Sequence, residues 1–162
     1  MTVVGAWHTG FQVADLDRSL TFYRDLLGLE EVWRREVSEP YIGTIVGYPG
    51  VTIHQALLKI PGTDHHLELL DYRGVERTAV DTRTANPGTA HICLIVENVA
   101  DLYARMREHD VDFMSPPVVP TVGPNTGRLV AYMADWDGIR IELIQLSQAT
   151  DDDLATIARA SA

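Results

Sequence analysis

The sequence predicts an α+β fold built from two βαβββ modules, because two patterns occur once in each half of the chain. In each half a histidine stands at the start of a short alternating run, at Trp7–Val13 and Ala90–Val96, and a valine follows it five residues later. In each half a glutamate also stands inside a later apolar run, at Leu67–Leu70 and Ile141–Ile144. Since a helical pattern follows the first run both times, each module begins with a strand and a helix.

Composition and charge exclude several classes of protein. The 162 residues fit one domain of ordinary size or two small modules sharing a core, and an apolar fraction of 46% is typical of a globular chain. A net charge of −10 argues against a nucleic-acid partner, because phosphate binding needs a basic surface. No apolar run approaches the roughly 20 residues of a membrane span, and no signal-peptide profile begins the chain. We therefore expect no membrane partner and a cytoplasmic location.

The first module is predicted over residues 1–72. Its opening strand Trp7–Val13 places His8 on the face opposite the apolar residues. Asp15 can cap the helix that follows, and Gly28 stands where that helix would end. The apolar positions of the helix recur at helical spacing, and they are Leu16, Leu20, Tyr23, Leu26 and Leu27. Further strands are predicted at Leu29–Trp33, Gly43–Tyr48, Val51–Ile60 and His66–Tyr72.

A linker over residues 73–89 leads to the second module, which is predicted over residues 90–146. Asp135–Gly138 supplies a strong turn signal for its hairpin. The predicted elements are the strand Ala90–Val96, the helix Asn98–His109, the strand Val111–Met114 and the hairpin strands Arg128–Ala134 and Ile139–Leu146. Residues 147–162 form a tail that we expect to be peripheral, with a helix over Asp153–Ala160.

Four residues of the metal-ligand type fall at matching places in the two halves, and they are His8, Glu68, His91 and Glu142. For each residue alone, a hydrogen-bonded strand histidine or a salt-bridged glutamate is the ordinary interpretation. A carboxylate in the middle of an apolar strand is nevertheless costly to bury unless it is paired or bound to a metal. Because imidazole and carboxylate together suit zinc, nickel, cobalt, manganese or iron(II), the repeated set predicts a metal site.

Two further residues stand close to this set in the sequence. His66 shares a strand face with Glu68, so it can line the cavity and contact a ligand residue or the substrate. Cys93 is the single cysteine and cannot form an internal disulfide. We predict that it is a small core residue in the strand that begins near His91.

The longest motifs of the chain are His8 with Val13–Ser19 and Phe22–Leu29, then Gly123–Gly127 with Asp135–Leu143. Together they resemble the vicinal oxygen chelate superfamily, and the resemblance covers residues 7–72 and 90–146. That superfamily includes glyoxalase I, methylmalonyl-CoA epimerase, extradiol dioxygenases and the bleomycin- and fosfomycin-resistance proteins. Trp136 replaces the proline that is usual in the family's Asp-Pro-Asp-Gly turn, and we expect only a structural effect from that change.

The resemblance implies an open, cup-shaped mixed sheet around one metal ion, with both modules forming a single domain of the superfamily. It carries the ligand roles onto His8, Glu68, His91 and Glu142, the ligand set associated with glyoxalase I-like isomerases and lyases. It also implies one divalent cofactor, which would be nickel, cobalt, zinc or manganese, with iron(II) ranked below these.

The function implied by the resemblance is that of a metal-dependent lyase or isomerase of the glyoxalase I type. Such an enzyme moves a proton adjacent to a carbonyl through a metal-stabilised enediolate, with Glu68 or Glu142 as the base. Its partner would be a small-molecule substrate with adjacent oxygens, and we expect a homodimer. The alternatives are an epimerase of a coenzyme A thioester, sugar or cyclitol ketone, and a small-molecule-binding resistance protein. An extradiol dioxygenase is ranked last, because the fourth ligand is intact.

Overall fold

The computed structural model describes residues 2–161, and the chain divides into two compact units, Met1–Ala79 and Val80–Ala162. Each unit contains one four-stranded mixed sheet with helices, so the predicted α+β class is confirmed. Within residues 2–161, no helix combines the length and the apolar character that crossing a membrane requires.

The sheet of the first unit consists of β1 (His8–Gln12), β2 (Glu30–Val37), β3 (Thr52–Lys59) and β4 (His66–Arg73). Its strand order is β1-β4-β3-β2, in which β1 runs parallel to β4 and the other pairs are antiparallel. Helix α1 (Leu16–Leu20) continues directly as a π-helix over Thr21–Leu26. The Asp15 carboxylate caps α1, as predicted, by accepting a 2.9 Å hydrogen bond from the backbone N–H of Arg18.

The predicted strand over Gly43–Tyr48 is wrong, because these residues belong mostly to helix α2 (Pro40–Val46). A proline occupies the first turn of α2, and Gly47 ends it in the left-handed region at φ 79°. Ile42 and Val46 lie one helical turn apart and pack against a buried cluster formed by Val37, Val51 and Ile53. The β-branched residues of this stretch favour a strand, but packing of one helical face decides the structure.

The second unit repeats this topology with β5 (His91–Val96), β6 (Asp112–Phe113), β7 (Arg128–Ala134) and β8 (Arg140–Gln148). Its strand order is β5-β8-β7-β6, and again the first strand is parallel to the last strand while the other pairs are antiparallel. Helix α3 (Val99–Arg107) follows β5, as the repeat predicts. The largest fully buried side chains of this unit are Met106, Leu129, Met133, Ile141 and Leu143.

The C-terminal helix α4 (Asp151–Ala160) packs against α3, contrary to our expectation of a peripheral tail. Thr150 and Asp153 form a reciprocal capping box at its start, and Asp153 is buried. Ile157 is also buried, and at the far end the Tyr103 and Ser161 hydroxyls are 3.0 Å apart. The tail therefore completes the second unit.

Candidate metal centre

The first pair of predicted ligands, His8 and Glu68, is assembled by the parallel pairing of β1 with β4. In the register of these strands Gly10 is opposite Glu68, so the His8 imidazole reaches diagonally across to the carboxylate. The distance from His8 Nε2 to Glu68 Oε2 is 3.2 Å. The glutamate side chain is only 15% exposed, while the histidine is 37% exposed, so the pair sits at the sheet surface with its carboxylate partly shielded.

The second pair, His91 and Glu142, has the same construction on β5 and β8. Here Cys93 is opposite Glu142 in the parallel register, and the histidine again reaches diagonally to the carboxylate. The distance from His91 Nε2 to Glu142 Oε2 is 3.3 Å. The repeat seen in the sequence is therefore a repeat of strand register, and it places both pairs in equivalent positions.

The structure brings the four predicted ligands together as two pairs, one in each unit. Among the described residues 2–161, no group of three or more His, Cys, Asp or Glu side chains is placed to hold a metal ion. Binding of one ion by all four residues therefore stays a prediction.

Each pair has the donor chemistry and the spacing of two ligands of one divalent ion. Two ligand atoms about 2.1 Å from an ion lie about 3.0 Å apart at right angles and about 3.4 Å apart in a tetrahedron. The observed separations of 3.2 Å and 3.3 Å fall between these values. The same separations fit a His–Glu ion pair, and metal analysis distinguishes the two.

Tyr132 contacts both members of the second pair, and we did not predict a role for it. Its hydroxyl donates a 3.0 Å hydrogen bond to Glu142 Oε2 and lies 3.1 Å from His91 Nε2. Partial burial and the hydrogen bond to Glu142 raise the pKa of the tyrosine to about 12. The hairpin turn at Asp135–Gly138 is the sequence feature from which this contact can be predicted. Pairing of Ala134 with Arg140 around that turn sets Tyr132 opposite Glu142.

Cys93 is exposed, so its prediction as a core residue is wrong. Strand alternation puts it on the face of His91, whereas Leu94 points to the buried side. The pKa of the Cys93 thiol is raised to about 11 by local burial and by the neighbouring Glu142 carboxylate. The thiol is therefore protonated at neutral pH and can donate to that carboxylate.

The first pair has different neighbours. Leu57 on β3 is opposite Glu68, at the position that Tyr132 has in the second unit. Gly10 replaces Cys93, and a Cβ atom there would come within 3.2 Å of the Leu70 side chain. The pKa of Tyr72 is raised, first by burial and then by the negative charge of Glu68.

The neighbouring histidines of the first unit have local contacts. The His65 ring is 2.9 Å from the Thr9 hydroxyl, and the His66 ring packs on Trp7 with centroids 4.8 Å apart. The His66 Nδ1 atom is buried and has no hydrogen-bond partner among residues 2–161. A role for His66 toward substrate stays a prediction.

Comparison with known proteins gives one family. A sequence profile of the Glyoxalase/Bleomycin resistance protein/Dioxygenase superfamily matches residues 6–143. The lactoylglutathione lyase of Salmonella typhimurium is 29% identical over 143 residues, which are 88% of this chain and 93% of that enzyme.

Several solved structures are similar in fold. A glyoxalase family protein from Bacillus cereus has a TM-score of 0.73 at 20% identity, over 90% of this chain and 95% of that one. The trypanothione-dependent glyoxalase I of Leishmania major has a TM-score of 0.56 at 26% identity, over 98% of this chain and 95% of that one.

Proposed function

This chain belongs to the Glyoxalase/Bleomycin resistance protein/Dioxygenase superfamily, and we propose that it is a metal-dependent lyase of the glyoxalase I type. The observation that carries this proposal is the repetition of a His–Glu pair at the same strand register in both units. The similarity to lactoylglutathione lyases over 88% of the chain supports lyase chemistry in particular.

The residues that would hold the metal are His8, Glu68, His91 and Glu142. Their imidazole and carboxylate donors suit nickel, cobalt, zinc or manganese. A bound divalent ion would act as a Lewis acid toward two adjacent oxygens of the substrate. The histidines would bind through Nε2, which requires that atom to be unprotonated.

The reaction that follows is a proton shift within the substrate. Glu68 or Glu142 would accept the proton from the carbon next to the carbonyl and return it to the neighbouring carbon. Each glutamate side chain is more than four-fifths shielded from solvent, so its carboxylate is partly protected from bulk water. The net change is an isomerisation that needs no oxidant or reductant.

The substrate class that we propose is the adduct of a 2-oxoaldehyde with a low-molecular-weight thiol. The Salmonella relative is named as a lyase of a glutathione adduct, and the Leishmania glyoxalase I is trypanothione-dependent. A 2-oxoaldehyde adduct presents a hydroxyl and a carbonyl oxygen on adjacent carbons, which is the pattern that one metal ion can chelate.

Elemental analysis of protein purified without a metal-affinity tag tests the proposal. We expect near-stoichiometric nickel, cobalt, zinc or manganese, and conversion of methylglyoxal mixed with glutathione. Glu142→Gln should weaken or abolish metal binding. Protein that holds no metal and takes up none on addition would contradict the mechanism, and a small-molecule-binding protein would then be the better description.

We further propose that the protein is a homodimer. Coexpression of His8→Ala/Glu68→Ala chains with His91→Ala/Glu142→Ala chains tests whether two copies share ligands. If each ion takes one pair from each copy, the mixed dimer contains one intact set and regains metal and activity. If all four ligands come from one chain, the mixed dimer contains no intact set and stays inactive.

A further inference from the structure

The Tyr132 hydroxyl lies where it can act on both ligands of the second pair at once. It is 3.0 Å from Glu142 Oε2 and 3.1 Å from His91 Nε2, and these two atoms are themselves 3.3 Å apart. A phenol has one proton, and here that proton is donated to the glutamate. The imidazole and phenol rings also pack edge to face, with centroids 5.2 Å apart at 61°.

The sheet fixes the position of this phenol. Tyr132 lies on β7, an interior strand of the second sheet, and its backbone pairs directly with Glu142 on β8. The residues on either side of it, Ala131 and Met133, are 3% and 0% exposed. Because the strand is anchored by these buried neighbours, the hydroxyl is a fixed point against which a flexible glutamate can be held.

The first unit provides an internal control for the importance of this tyrosine. Leu57 occupies the equivalent position opposite Glu68, and its side chain has no hydrogen-bonding group. The sheet therefore forms with an aliphatic residue at this position, so the topology does not require a phenol there. The hydroxyl of Tyr132 is explained by what it contacts, which is the second ligand pair.

On the basis of the function proposed above, we propose that Tyr132 is a positioning residue for the metal centre. Its hydroxyl holds the Glu142 carboxylate in the orientation in which Oε2 and His91 Nε2 face one ion together. When His91 binds metal through an unprotonated Nε2, the hydrogen bond from Tyr132 to Glu142 remains, because its proton comes from the phenol. Loss of this hydroxyl should therefore weaken metal binding without disturbing the fold.

Titration calorimetry with Co²⁺ alone, on metal-free protein, tests this role without requiring a substrate. Tyr132→Phe should bind Co²⁺ about 10- to 100-fold more weakly than the native protein, the usual range for losing a hydrogen-bond partner of a ligand. Tyr103→Phe is the matched control, since it removes a phenol oxygen that contacts Ser161 elsewhere in the same unit. Its Co²⁺ affinity should stay within about twofold of the native value.

Replacement of Tyr132 by 4-aminophenylalanine tests whether the hydrogen-bond donor, rather than the oxygen atom itself, is what the site needs. This substitution keeps an N–H donor at the ring's end, so it should restore most of the Co²⁺ affinity that Tyr132→Phe loses. Equal Co²⁺ affinity of native and Tyr132→Phe protein would overturn the positioning role and leave the proposed function standing. Failure of the native protein to bind Co²⁺, nickel, zinc or manganese would overturn both.

Discussion

The two His–Glu pairs share a backbone arrangement and differ in the side chains around each glutamate. In the first unit Glu68 is flanked across the strands by Gly10 and Leu57, which have no hydroxyl or thiol. In the second unit Glu142 is flanked by Cys93 and Tyr132, and the tyrosine donates a hydrogen bond to it. Strand register thus places each glutamate beside its histidine, while the residues opposite the glutamate determine how many hydrogen bonds its carboxylate receives.

The largest expected effect on kcat and metal affinity comes from replacing each glutamate separately by glutamine. We expect Glu68→Gln to lower kcat by about 100- to 10,000-fold, the range for loss of a general base, because this carboxylate has fewer donors holding it and can move to take a proton. Glu142→Gln should instead lower the metal affinity by a larger factor than the factor by which it lowers kcat at saturating metal.

Steady-state kinetics over a range of metal concentrations measures both quantities. Equal kcat losses in the two variants would contradict the division of roles, and a larger loss in Glu142→Gln would reverse it. Metal content of each variant, determined in the same samples, shows whether kcat is being compared at full occupancy.

A second contrast concerns the buried polar residue three positions after each glutamate. Asp71 in the first unit accepts hydrogen bonds of 2.7 Å and 2.9 Å from Arg73 and Arg77. Gln145 in the second unit is neutral, and its side-chain oxygen accepts a 2.9 Å hydrogen bond from the backbone N–H of Val99. The equivalent buried position thus has a charged carboxylate in the first unit and a neutral amide in the second unit.

Substitution at these two positions should have unequal costs in free energy of unfolding. We expect Asp71→Asn to cost about 2–3 kcal/mol, less than for a fully buried pair because both arginines reach solvent. Gln145→Leu should cost about 1–2 kcal/mol, since it leaves the Val99 N–H without its acceptor. Urea unfolding followed by circular dichroism measures both, and a larger cost for Gln145→Leu would contradict the comparison.

The smallest expected effect concerns Cys93, which has glycine as its counterpart in the first unit. Its pKa of about 11 keeps the thiolate fraction low at pH 8, so iodoacetamide should react slowly despite the exposure of the residue. Glu142→Gln removes a negative charge that raises this pKa, so alkylation should become several-fold faster. Burial is the larger cause and remains, so the acceleration is partial.

Because Cys93 is the single cysteine, the alkylation rate measures the reactivity of this site alone. Glu97→Gln is the matched control, because it removes an exposed carboxylate that lies just after the end of the same strand. An alkylation rate that does not change in Glu142→Gln would show that the carboxylate does not act on the thiol.

The two His–Glu pairs could be predicted from the sequence because strand register is repeated along with residue type, and their role as metal ligands stays a prediction. Periodicity alone also placed the strands that hold them, to within a few residues. Tyr132 was missed because its role depends on what lies opposite it, although the turn at Asp135–Gly138 contains enough information to pair it with Glu142. The core prediction for Cys93 is wrong because β5 is apolar on both faces while only one of them is buried, so alternation exposes every second residue.

Helix α2 could not be predicted for a different reason. It spans two turns, which is too short to be stable alone, and it persists because Ile42 and Val46 are partly buried against Val37, Val51 and Ile53 in the segments on either side of it. Such a helix has no strong local signal. The sequence features that indicate its bounds are Pro40 at its start and Gly47 at its end.

The π-helical turn over Thr21–Leu26 explains how the two halves tolerate different lengths. From the capping residue to the first left-handed residue, the helix of the first unit runs from Asp15 to Gly28, and that of the second runs from Asn98 to Asp110, one residue fewer. A π turn is the form in which a helix accommodates one extra residue. We therefore expect a single-codon insertion or deletion in this segment to be absorbed inside the helix, so that the strands that carry the His–Glu pairs keep their alignment.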